Sequence, residues 1–429
     1  MNRTLVNQIK TKVNQEVKMM GWVHRIRKLS KIAFIVLRDR TGIVQCVVDT
    51  KQINIKSLKL ESVIELKGKV VEGKNSTGYY EVQVSYIKNI SPVKEELPIE
   101  INTDELNVNI NTMLNNRVLS LRNLKTNAIF KIQANIAQGF IEFLNSEGFT
   151  EVFTPKIVSE GAEGGTALFK VDYFKRKAYL AQSPQFYKQM LVAAGYERVF
   201  EIGHVYRAEE HSTVRHLNEY ISLDLEMGFI NDETDIMKLE TKLLKYIFLK
   251  VENECKKELN LLNVNMPVIN GEIPTITLLD AIEILKREYN KTNLEKDLDP
   301  EGEKLIYEYV KKKYNSDFVF LTEYPRSKRP MYTMPYNEEL TRSFDLIFRG
   351  LEITTGGQRI HDYEMLKENM ILKGLNPELF IGYLENFKYG MPPHGGLAIG
   401  LERITAQLLG CNNVRETSLF PRDKERLLP

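Results

Sequence analysis

Cysteine is scarce in this sequence of 429 residues, which contains only Cys46, Cys255 and Cys411 and no CxxC pair. Their wide spacing argues against a disulfide framework and against a zinc site built from thiolates. No apolar run reaches the roughly 18–20 residues of a membrane-spanning helix. The N-terminal segment MNRTLVNQIKTKVNQEVK also lacks the apolar core of a secretory signal. We therefore expect a cytoplasmic protein that does not associate with a membrane.

An excess of charge of one sign is also absent, because 59 lysines and arginines face 57 acidic residues and the net charge is +2. Contact with nucleic acid must then come from a local basic patch and not from the field of the whole protein. The patterns GxxxxGKS, GxxxxGKT, GxGxxG, HExxH and GxSxG are missing as well. Their absence excludes a P-loop and leaves a dinucleotide-binding fold without support, so a nucleotide would need another cradle.

Residues 1–92 have the pattern of a small all-β domain. Five short segments rich in Val, Ile, Phe and Tyr occupy positions 17–26, 33–38, 43–49, 62–72 and 79–88. Five strands in so few residues favour a barrel of the OB type, whereas the alternative, a β-sandwich fragment, would need more strands. In the last segment, regular alternation predicts that Tyr80, Val82, Val84 and Tyr86 share one face.

The character of the chain changes after this β-rich part. Residues 93–123 contain many asparagines and no sustained period, which is typical of a linker or hinge. Over 124–429, helical periods that begin with Ile129, Ile132 and Ile136 are mixed with strand-like segments, without a steady βαβ alternation. This pattern favours an α+β domain with a mostly antiparallel sheet flanked by helices over a doubly wound parallel sheet.

The stretch FEIGHVYRAEEHSTVRHLNEYISLDLEMGF, 200–229, has two alternating apolar arms around a polar loop. The loop contains Arg207, Glu209, Arg215 and His216. Arginine binds phosphate with a fork of donors, and a carboxylate can accept a hydrogen bond from an exocyclic amine. The loop therefore has the residue types of an anion site, although a solvated hairpin tip with surface ion pairs has the same pattern.

The stretch FDLIFRGLEITTGGQRIHDYEML, 344–366, contains two carboxylates, Asp345 and Glu352, that are seven positions apart. On one extended strand they would point to opposite faces, so a bulge or a turn at 349–350 is needed for them to meet. Two converging carboxylates would suit Mg²⁺, and Gly356–Gly357 would let the backbone approach a ligand closely. The alternative is an edge strand with solvated acids.

The stretch HGGLAIGLERITAQLL, 394–409, predicts a glycine-rich strand that enters a helix. Gly395, Gly396 and Gly400 leave an open surface for a flat ring, on which Arg403 could stack. The start of the helix would also favour a phosphate. Taken alone, such a strand-to-helix turn more often has a purely structural role.

These three stretches together resemble motifs two and three of the class II aminoacyl-tRNA synthetases. GFTEVFTPKIV, 148–158, resembles motif one, with Pro155 where the family packs its dimer interface. The finer resemblance is to the aspartate branch in its archaeal and eukaryotic-like form, through GWVHRIR, FIVLRD with GIVQ, QSPQFYKQ, YRAEEHSTVRHLNE, LEITTGGQRIH, YGMPPHGG and LFPRD. These strings follow the family order along nearly the whole chain, which is too short for the large extra domain of the usual bacterial aspartyl enzyme.

The resemblance implies an ATP-dependent, AMP-forming aminoacyl-tRNA ligase. Such an enzyme activates L-aspartate with ATP to aspartyl-adenylate and transfers the aspartyl group to the 3′ end of tRNA for aspartate, in some members also of tRNA for asparagine. It implies an OB-fold anticodon-binding domain at 1–92, a linker or hinge at 93–123, a catalytic domain at 124–429 and a homodimer. The alternatives are an asparaginyl-tRNA synthetase, a synthetase-derived paralogue that makes free asparagine, and a non-catalytic RNA-binding paralogue.

The resemblance also implies roles in the ATP site. Arg207 and Arg403 would be the catalytic residues, with Arg207 on the α-phosphate and on the substrate carboxylate and Arg403 stacked on adenine. Glu209 would read the adenine amine, and Arg215 and His216 would hold the terminal phosphates. The implied ATP site also includes Ala208, Leu217, Glu352, Gly400, Leu401 and Glu402. The implied ligands of Mg²⁺ are Asp345, Glu352 and Thr355, where Thr355 replaces the serine that the family usually has.

The implied aspartate-binding residues are Glu163, Gln185, Phe186, Tyr187, Lys188, Arg207, Thr355 and Arg359. Glu163 would hold the amino group, and Arg359 would pair with the side-chain carboxylate. Because asparagine is nearly isosteric with aspartate, charge must separate the two amino acids. Lys188 and Arg359 both favour a carboxylate partner, and asparagine would leave these cations poorly compensated. The opposing interpretation places Lys188 on the surface of a helix at 185–195.

In the N-terminal barrel, the resemblance implies contacts with the tRNA anticodon. Phe34 is a candidate stacking platform, Gln45 a candidate reader of the middle uracil, and Arg25 and Arg27 belong to a local basic patch with Lys28 and Lys31. The alternative for Phe34 is a place in the barrel core. The loop at 73–79 would approach the third anticodon base, which separates the tRNAs for aspartate and asparagine.

Overall fold

The computed structural model describes residues 2–75, 77–161, 167–210 and 213–428. The chain divides into two compact units, Met1–Val108 and Asn109–Pro429. The division falls inside the segment 93–123 that the sequence pattern assigned to a linker. Arg117, in the later part of this segment, belongs to the second unit. Its guanidinium donates hydrogen bonds to the carbonyl oxygens of Ser418 and Leu419. These partners are about 300 positions away in sequence, so local composition does not reveal them.

The first unit is a closed five-stranded barrel, as the sequence predicts. A 3₁₀ helix, Val6–Thr11, precedes the strands β1 Glu16–Lys28, β2 Ile32–Asp39, β3 Gly42–Asp49, β4 Val63–Asn75 and β5 Gly78–Ser91. They pair in the order β1-β2-β3-β5-β4, with β1 and β4 closing the barrel. Alternate side chains such as Val17, Met19, Ile35 and Leu37 fill its interior, and closure leaves no free sheet edge.

A β-bulge changes the phase of β5 and corrects one prediction. The register pairs Tyr86 with Lys67 but Val84 with Gly68, so Ser85 is an extra residue on this strand. Beyond the bulge the inward face therefore passes to Ile87, which packs against the barrel core. Tyr86 is 45% exposed, so the prediction that it shares the buried face with Val82 is wrong.

The strands of the second unit are β6 Thr150–Glu151, β7 Ile157–Val158, β8 Lys170–Tyr173, β9 Arg176–Leu180, β10 Arg198–Tyr206, β11 Glu219–Gly228, β12 Thr275–Thr277, β13 Phe318–Thr322, β14 Ser343–Phe348, β15 Leu351–Arg359 and β16 His394–Gly400. They form a mixed eight-stranded sheet in the order β12-β13-β14-β15-β16-β11-β10-β6, which is antiparallel except at its two edges, and a three-stranded sheet, β7-β9-β8. The predicted α+β class with a mostly antiparallel sheet is confirmed.

The second unit also contains the helices α1 to α11. They are α1 Ile110–Asn115, α2 Arg117–Ser120, α3 Leu124–Ser146, α4 Gln185–Leu191, α5 Glu233–Glu254, α6 Lys256–Leu262, α7 Leu278–Tyr289, α8 Pro300–Tyr314, α9 Tyr363–Leu372, α10 Ile381–Leu384 and α11 Leu401–Leu409. Shorter 3₁₀ turns occupy Arg326–Lys328, Pro377–Phe380, Glu385–Tyr389 and Val414–Thr417, and a π-helical turn, Val192–Tyr196, follows α4. In the described ranges, none of these helices is long and apolar enough to cross a membrane.

The strands of the large sheet separate apolar from polar side chains. Along β11, Leu223 and Leu225 point into a core that they share with α3, α5 and α11. Because side chains alternate along a strand, Ser222, Asp224 and Glu226 point to the opposite side. At β11, the helices α3, α5 and α11 thus cover one face of the sheet. The other face carries the polar groups of a cleft, to which α4 contributes Lys188.

One acid lies on the covered side of the sheet. Glu240 of α5 is fully buried, and the hydroxyl of Thr354 donates a hydrogen bond to its carboxyl oxygen Oε1 at 2.6 Å. Burial raises the pKa of Glu240 to about 8. The folded state therefore holds this proton more tightly than the unfolded state, in which a glutamate titrates near 4.5. The stability that the neutral acid contributes is complete below the unfolded pKa and is lost as the pH rises through 8.

We predict that Glu240→Gln flattens the pH dependence of stability. The thermal midpoint of the wild type should fall between pH 6 and pH 9 by a few degrees more than that of the variant, since each pH unit between 6 and 8 costs about 1 kcal/mol. Differential scanning calorimetry measures the midpoints. Glu252→Gln, at an exposed acid of the same helix, is the matched control. Parallel pH profiles of the wild type and Glu240→Gln would contradict the prediction.

Candidate active site

The β10–β11 hairpin positions the predicted anion-binding loop at one end of the sheet. The two strands pair in register from Arg198 with Met227 to Tyr206 with Glu219, so the loop begins at Arg207. The side chain of Asn218 donates hydrogen bonds to the carbonyl oxygens of Arg207 and Glu209, at 2.7 and 3.1 Å. Asn218 thereby fixes the first residues of the loop, a role that the sequence pattern did not reveal.

Two adjoining cavities open beside this loop. The smaller, of about 100 Å³, is lined by residues of the implied ATP site, among them Arg207, Glu209, Arg215, His216, Leu217, Glu352, Gly400, Glu402 and Arg403. The larger, of about 350 Å³, is lined by Gln185, Lys188, Arg207, Asp345, Glu352, Thr355, Arg359 and others. Both cavities share Arg207, Tyr220, Ser222, Glu352, Thr355 and Ala398. Arg207 and Glu352 therefore stand where the two halves of one cleft meet.

The two predicted carboxylates meet through a hairpin turn and a bulge. Arg349 and Gly350 have positive φ values of 47° and 83° and form the tight turn between β14 and β15. The register then pairs Leu346 with Thr354 but Ile347 with Glu352, so Ile353 is an extra residue. This bulge turns Glu352 to the same face as Thr355, whose hydroxyl donates to Oε1 of Glu352 at 3.1 Å.

Arginines surround these carboxylates. Arg329 Nη2 lies 2.8 Å from Asp345 Oδ1, and Arg403 Nη1 lies 3.5 Å from Glu352 Oε1. Burial raises the pKa of Asp345 to about 6, against the opposing effect of Arg329. Burial acts in the same direction on Glu352, but Arg403, Arg329 and Arg207 together hold the pKa of that carboxyl below its ordinary value. Arg329, which sequence reasoning missed, stacks 3.7 Å above the ring of Tyr324.

The remaining residues of the implied ATP site have different environments. Gly400 ends β16 and borders the smaller cavity, whereas Leu401 is part of the hydrophobic core. The Glu402 carboxylate accepts the backbone N–H of Ile221 with both oxygens, and burial raises its pKa to about 7. Leu217 packs against Ala406 and Val414 at the wall of the cavity.

The loop residues around His216 are held by local bonds. The ring nitrogen Nδ1 of His216 lies 2.6 Å from the hydroxyl of Thr213, and Nε2 lies 3.7 Å from Glu209. Burial lowers the pKa of His216, which favours the neutral ring, and Glu209 opposes this effect. Ala208 contributes its backbone, which donates a hydrogen bond to the carbonyl oxygen of Ala167. Ala208 is not among the described residues that line either cavity.

Lys188 lies at the inner end of the larger cavity and is not a surface lysine. Its side chain is 4% exposed, and Nζ lies 3.0 Å from Asp224 Oδ1 and 3.3 Å from Glu226 Oε2. Nζ also donates to the carbonyl oxygens of Leu225 and Leu397. Asp224 and Glu226, which the sequence did not single out, therefore supply the carboxylate partners that the sequence argument reserved for the substrate.

Arg359 shares one of these acids. Its Nε donates to Glu226 Oε1 at 3.0 Å, and its guanidinium lies over the ring of Tyr332. Burial alone would favour the neutral form of Glu226, but Arg359 and Lys188 hold the pKa of this carboxyl below its ordinary value. The cluster thus contains two cations, Lys188 and Arg359, and two carboxylates, Asp224 and Glu226.

Some residues of α4 border the cleft, and others pack in a neighbouring apolar cluster that includes Tyr383. Gln185 and Lys188, which are one turn apart, border the larger cavity. Phe186 turns away and packs against Tyr383, with ring centroids 4.4 Å apart. Neither Phe186 nor Tyr187 is among the described lining residues of the two cavities. The implied amino-group ligand Glu163 lies outside the described residues.

In the barrel, the implied anticodon residues lie on the outer surface of β1, β2 and β3. Phe34 is half-buried and alternates with the core residues Ala33 and Ile35, so it is not part of the barrel core. Arg27 is its exposed neighbour across the β1–β2 pair, and Gln45 lies two positions from Val47, the partner of Phe34 on β3. The amide of Gln45 donates to Glu81 at 3.0 Å. Arg25 is exposed and donates to the carbonyl oxygen of Asn102.

Comparison with known proteins agrees with this architecture. The family of class II tRNA synthetases (D, K and N) matches residues 109–424, and the OB-fold nucleic acid binding domain matches residues 17–90. Aspartate–tRNA(Asp/Asn) ligase of Thermus thermophilus is 49% identical over 427 residues, with 100% of both chains covered. The enzyme of the same name from Deinococcus radiodurans is 50% identical over 436 residues, with 100% of this chain and 99% of that protein covered.

A solved structure shows the same fold at lower identity. The crystal structure of asparaginyl-tRNA synthetase from Pyrococcus horikoshii complexed with asparaginyl-adenylate superposes with a TM-score of 0.94 and 30% identity, and each chain is fully covered. The sequence match and the fold lead to one conclusion: the chain belongs to the class II tRNA synthetases of the D, K and N type.

Proposed function

We propose that this protein is an ATP-dependent aspartate–tRNA ligase, which forms aspartyl-adenylate and transfers the aspartyl group to the 3′ end of tRNA. The observation that carries the proposal is the two-part cleft, in which Arg207 joins a nucleotide half to an amino-acid half that ends at Lys188 and Arg359. The relatives from Thermus thermophilus and Deinococcus radiodurans are named for the tRNAs of both aspartate and asparagine. We propose that this chain also charges both tRNAs. A cytoplasmic location remains an expectation from the role in translation.

The nucleotide half offers a group for each part of ATP. We assign adenine to the space beside Gly400, with Arg403 stacked on the ring and Glu209 as acceptor for the exocyclic amine. Arg215 and His216 border the same cavity and would bind the terminal phosphates. Arg207 lies at the junction of the halves, where the α-phosphate and the aspartate carboxylate must meet.

The donor set at the junction fits Mg²⁺. Glu352, Thr355 and Asp345 offer carboxylate and hydroxyl oxygens, which are the hard ligands that this cation prefers, and water and phosphate oxygens can complete its shell. Within the described residues, no group of three or more His, Cys, Asp and Glu side chains is placed to hold a metal ion by itself, so the proposed site depends on oxygens from water and ATP. When bound, Mg²⁺ supplies positive charge against the phosphate oxygens.

The residues of the chain promote the first reaction by positioning and charge. The aspartate α-carboxylate attacks the α-phosphorus, the bond to the bridging oxygen of the β-phosphate breaks, and pyrophosphate leaves. Arg207 can bind both the attacking carboxylate and the α-phosphate, which holds the reactants in line. The guanidiniums of Arg207 and Arg403 stabilise the negative charge that develops on the phosphate oxygens.

Selection of aspartate rests on the fork of Arg359. Glu226 takes Nε and so sets the orientation of the guanidinium at the wall of the larger cavity. A substrate carboxylate accepts hydrogen bonds with both oxygens, whereas asparagine would place an NH₂ group against these donors. Since Asp224 and Glu226 already balance Lys188 and Arg359, donor geometry and not an uncompensated charge is the basis of the selection.

ATP–pyrophosphate exchange without tRNA tests the amino-acid assignment. We predict exchange with aspartate and none with asparagine. Arg359→Lys keeps the charge but loses the fork, so its kcat/KM for aspartate should fall at least about tenfold while the KM for ATP changes little. Arg342→Lys, outside both sets of lining residues, is the control. Exchange driven by asparagine, or an unaffected Arg359→Lys, would refute the assignment.

The barrel is assigned to anticodon binding, with Phe34 as the stacking platform beside Arg27 and Gln45. Phe34→Ala should lower kcat/KM for tRNA charging about tenfold or more, because stacking contributes about 1–3 kcal/mol per base. Exchange in the absence of tRNA should be unchanged. Transcripts of the tRNAs for aspartate and asparagine are the substrates, and Tyr86→Ala, at an exposed aromatic of β5, is the control. Equal losses in charging and in exchange would contradict this assignment.

We also propose a homodimer that forms around Pro155. Phe153 is 83% exposed and Ile157 is 48% exposed, so apolar side chains flank this proline at the surface of the chain. Sedimentation equilibrium should give twice the mass of one chain, and Phe153→Asp should shift the protein towards monomer and reduce exchange. Phe229→Asp, at another exposed phenylalanine, should do neither. A fully active wild-type monomer would rule the dimer out.

A further inference from the structure

An ion pair joins the β10–β11 loop to the first turn of α8. Asp299 caps this helix by accepting the backbone N–H of Gly302, and Pro300 begins it, so Glu303 is held on the first turn. Arg215 Nη2 donates to both carboxylate oxygens of Glu303 at 2.7 Å. The two side chains are only 13% and 9% exposed, so solvent screens this pair weakly.

The same carboxylate also holds β15. Glu303 Oε2 accepts the backbone N–H of Glu352 at 2.9 Å. Glu352 is the residue that turns into the cleft at the bulge and carries the proposed metal-binding carboxylate. Glu303 therefore fixes two groups of the nucleotide half at once, the guanidinium of Arg215 and the start of the carboxylate strand.

The contact with Glu303 does not use every donor of the Arg215 guanidinium. Glu303 uses only Nη2, and Nε is buried without a hydrogen-bond partner among the described residues. Arg215 borders the smaller cavity. A buried donor on a charged group is costly when it is unsatisfied, and a phosphate oxygen is a suitable acceptor for it. Within the described residues, Nε of Arg215 is therefore a donor that a ligand in the nucleotide half can satisfy.

We propose that Glu303 is a positioning residue, which holds Arg215 by one nitrogen so that its remaining donors meet the terminal phosphates of ATP. This inference rests on the proposed function, since it needs ATP in the smaller cavity. Glu303 borders the larger cavity and is not among the described lining residues of the smaller one, so it acts on a nucleotide in the smaller cavity through Arg215. It is 88 positions from Arg215 in sequence, and no pattern in the chain connects the two.

A Glu303 that competed with phosphate for Arg215 would affect ATP binding in the opposite direction. If Glu303 only neutralised Arg215 and competed with phosphate for it, removal of the carboxylate charge would tighten ATP binding. If Glu303 orients Arg215, its removal weakens ATP binding but leaves AMP binding unchanged, because AMP lacks the terminal phosphates. The ratio of the two dissociation constants therefore separates positioning from competition and also from a general loss of structure.

Isothermal titration calorimetry with ATP and with AMP, in Mg²⁺ and without amino acid, makes this comparison. For Glu303→Gln we expect the Kd of ATP to rise about tenfold, as for the loss of a charged hydrogen bond, and the Kd of AMP to stay within about twofold. Glu301→Gln removes a largely exposed acid from the same helix turn and should leave both constants unchanged. An unchanged or lower Kd of ATP in Glu303→Gln would overturn the proposal.

Two further variants keep the test decisive. Glu303→Asp retains the charge but is one methylene shorter, so it should also lose affinity for ATP and not for AMP, and wild-type affinity would overturn the proposal. In an Arg215→Ala background, Glu303→Gln should have no additional effect on ATP binding, since the glutamine oxygen can still accept the backbone N–H of Glu352 and only the contact with Arg215 is removed. If the wild type bound ATP no more tightly than AMP, the ATP assignment would fail as well. A normal wild type with an unaffected Glu303→Gln would refute this inference alone.

Discussion

The carboxylate of Glu226 is completely buried, and it stays ionised because Lys188 and Arg359 lie against it. Isolated charges in such a place would be strongly destabilising, so each member of the cluster requires the others. Lys188 belongs to α4, Glu226 to β11 and Arg359 to β15, and Lys188 also binds a carbonyl oxygen of β16. This balance of charge holds one helix and three strands together and gives the amino-acid half of the cleft its shape before a ligand arrives.

The nucleotide half depends on a change in strand phase. One extra residue, Ile353, turns Glu352 into the cleft beside Thr355, while Thr354 faces the helices and binds Glu240. The polar face of β15 can therefore present the carboxylate of Glu352 to the cleft, and its other face can still pack against α5. Glu303 and Arg403 then bind the backbone of Glu352 from two directions. Side chains of α8 and α11 thus fix the strand at the place where the two halves meet.

Much of the fold follows from local patterns. Segments rich in Val, Ile, Phe and Tyr identified the five barrel strands, and the period of three to four that begins with Ile129 identified α3. The requirement for a turn at 349–350 followed from the spacing of Asp345 and Glu352 alone. The pattern failed for Tyr86, because a bulge is invisible in an alternating sequence. It also missed α10, whose four residues are too few for a period to emerge.

By itself, the sequence determined the type of most elements, the residues with the chemistry of a nucleotide and amino-acid site, and the resemblance to a family. These properties reside in short stretches of chain, where propensity, spacing and motif act locally. Tertiary structure alone decided which charges neutralise each other: Asp224 with Lys188 across 36 positions, Glu303 with Arg215 across 88, and Glu226 with Arg359 across 133. The strength of a buried ion pair depends on the distance through space and on the exclusion of water, and both arise only when the sheet and its helices pack.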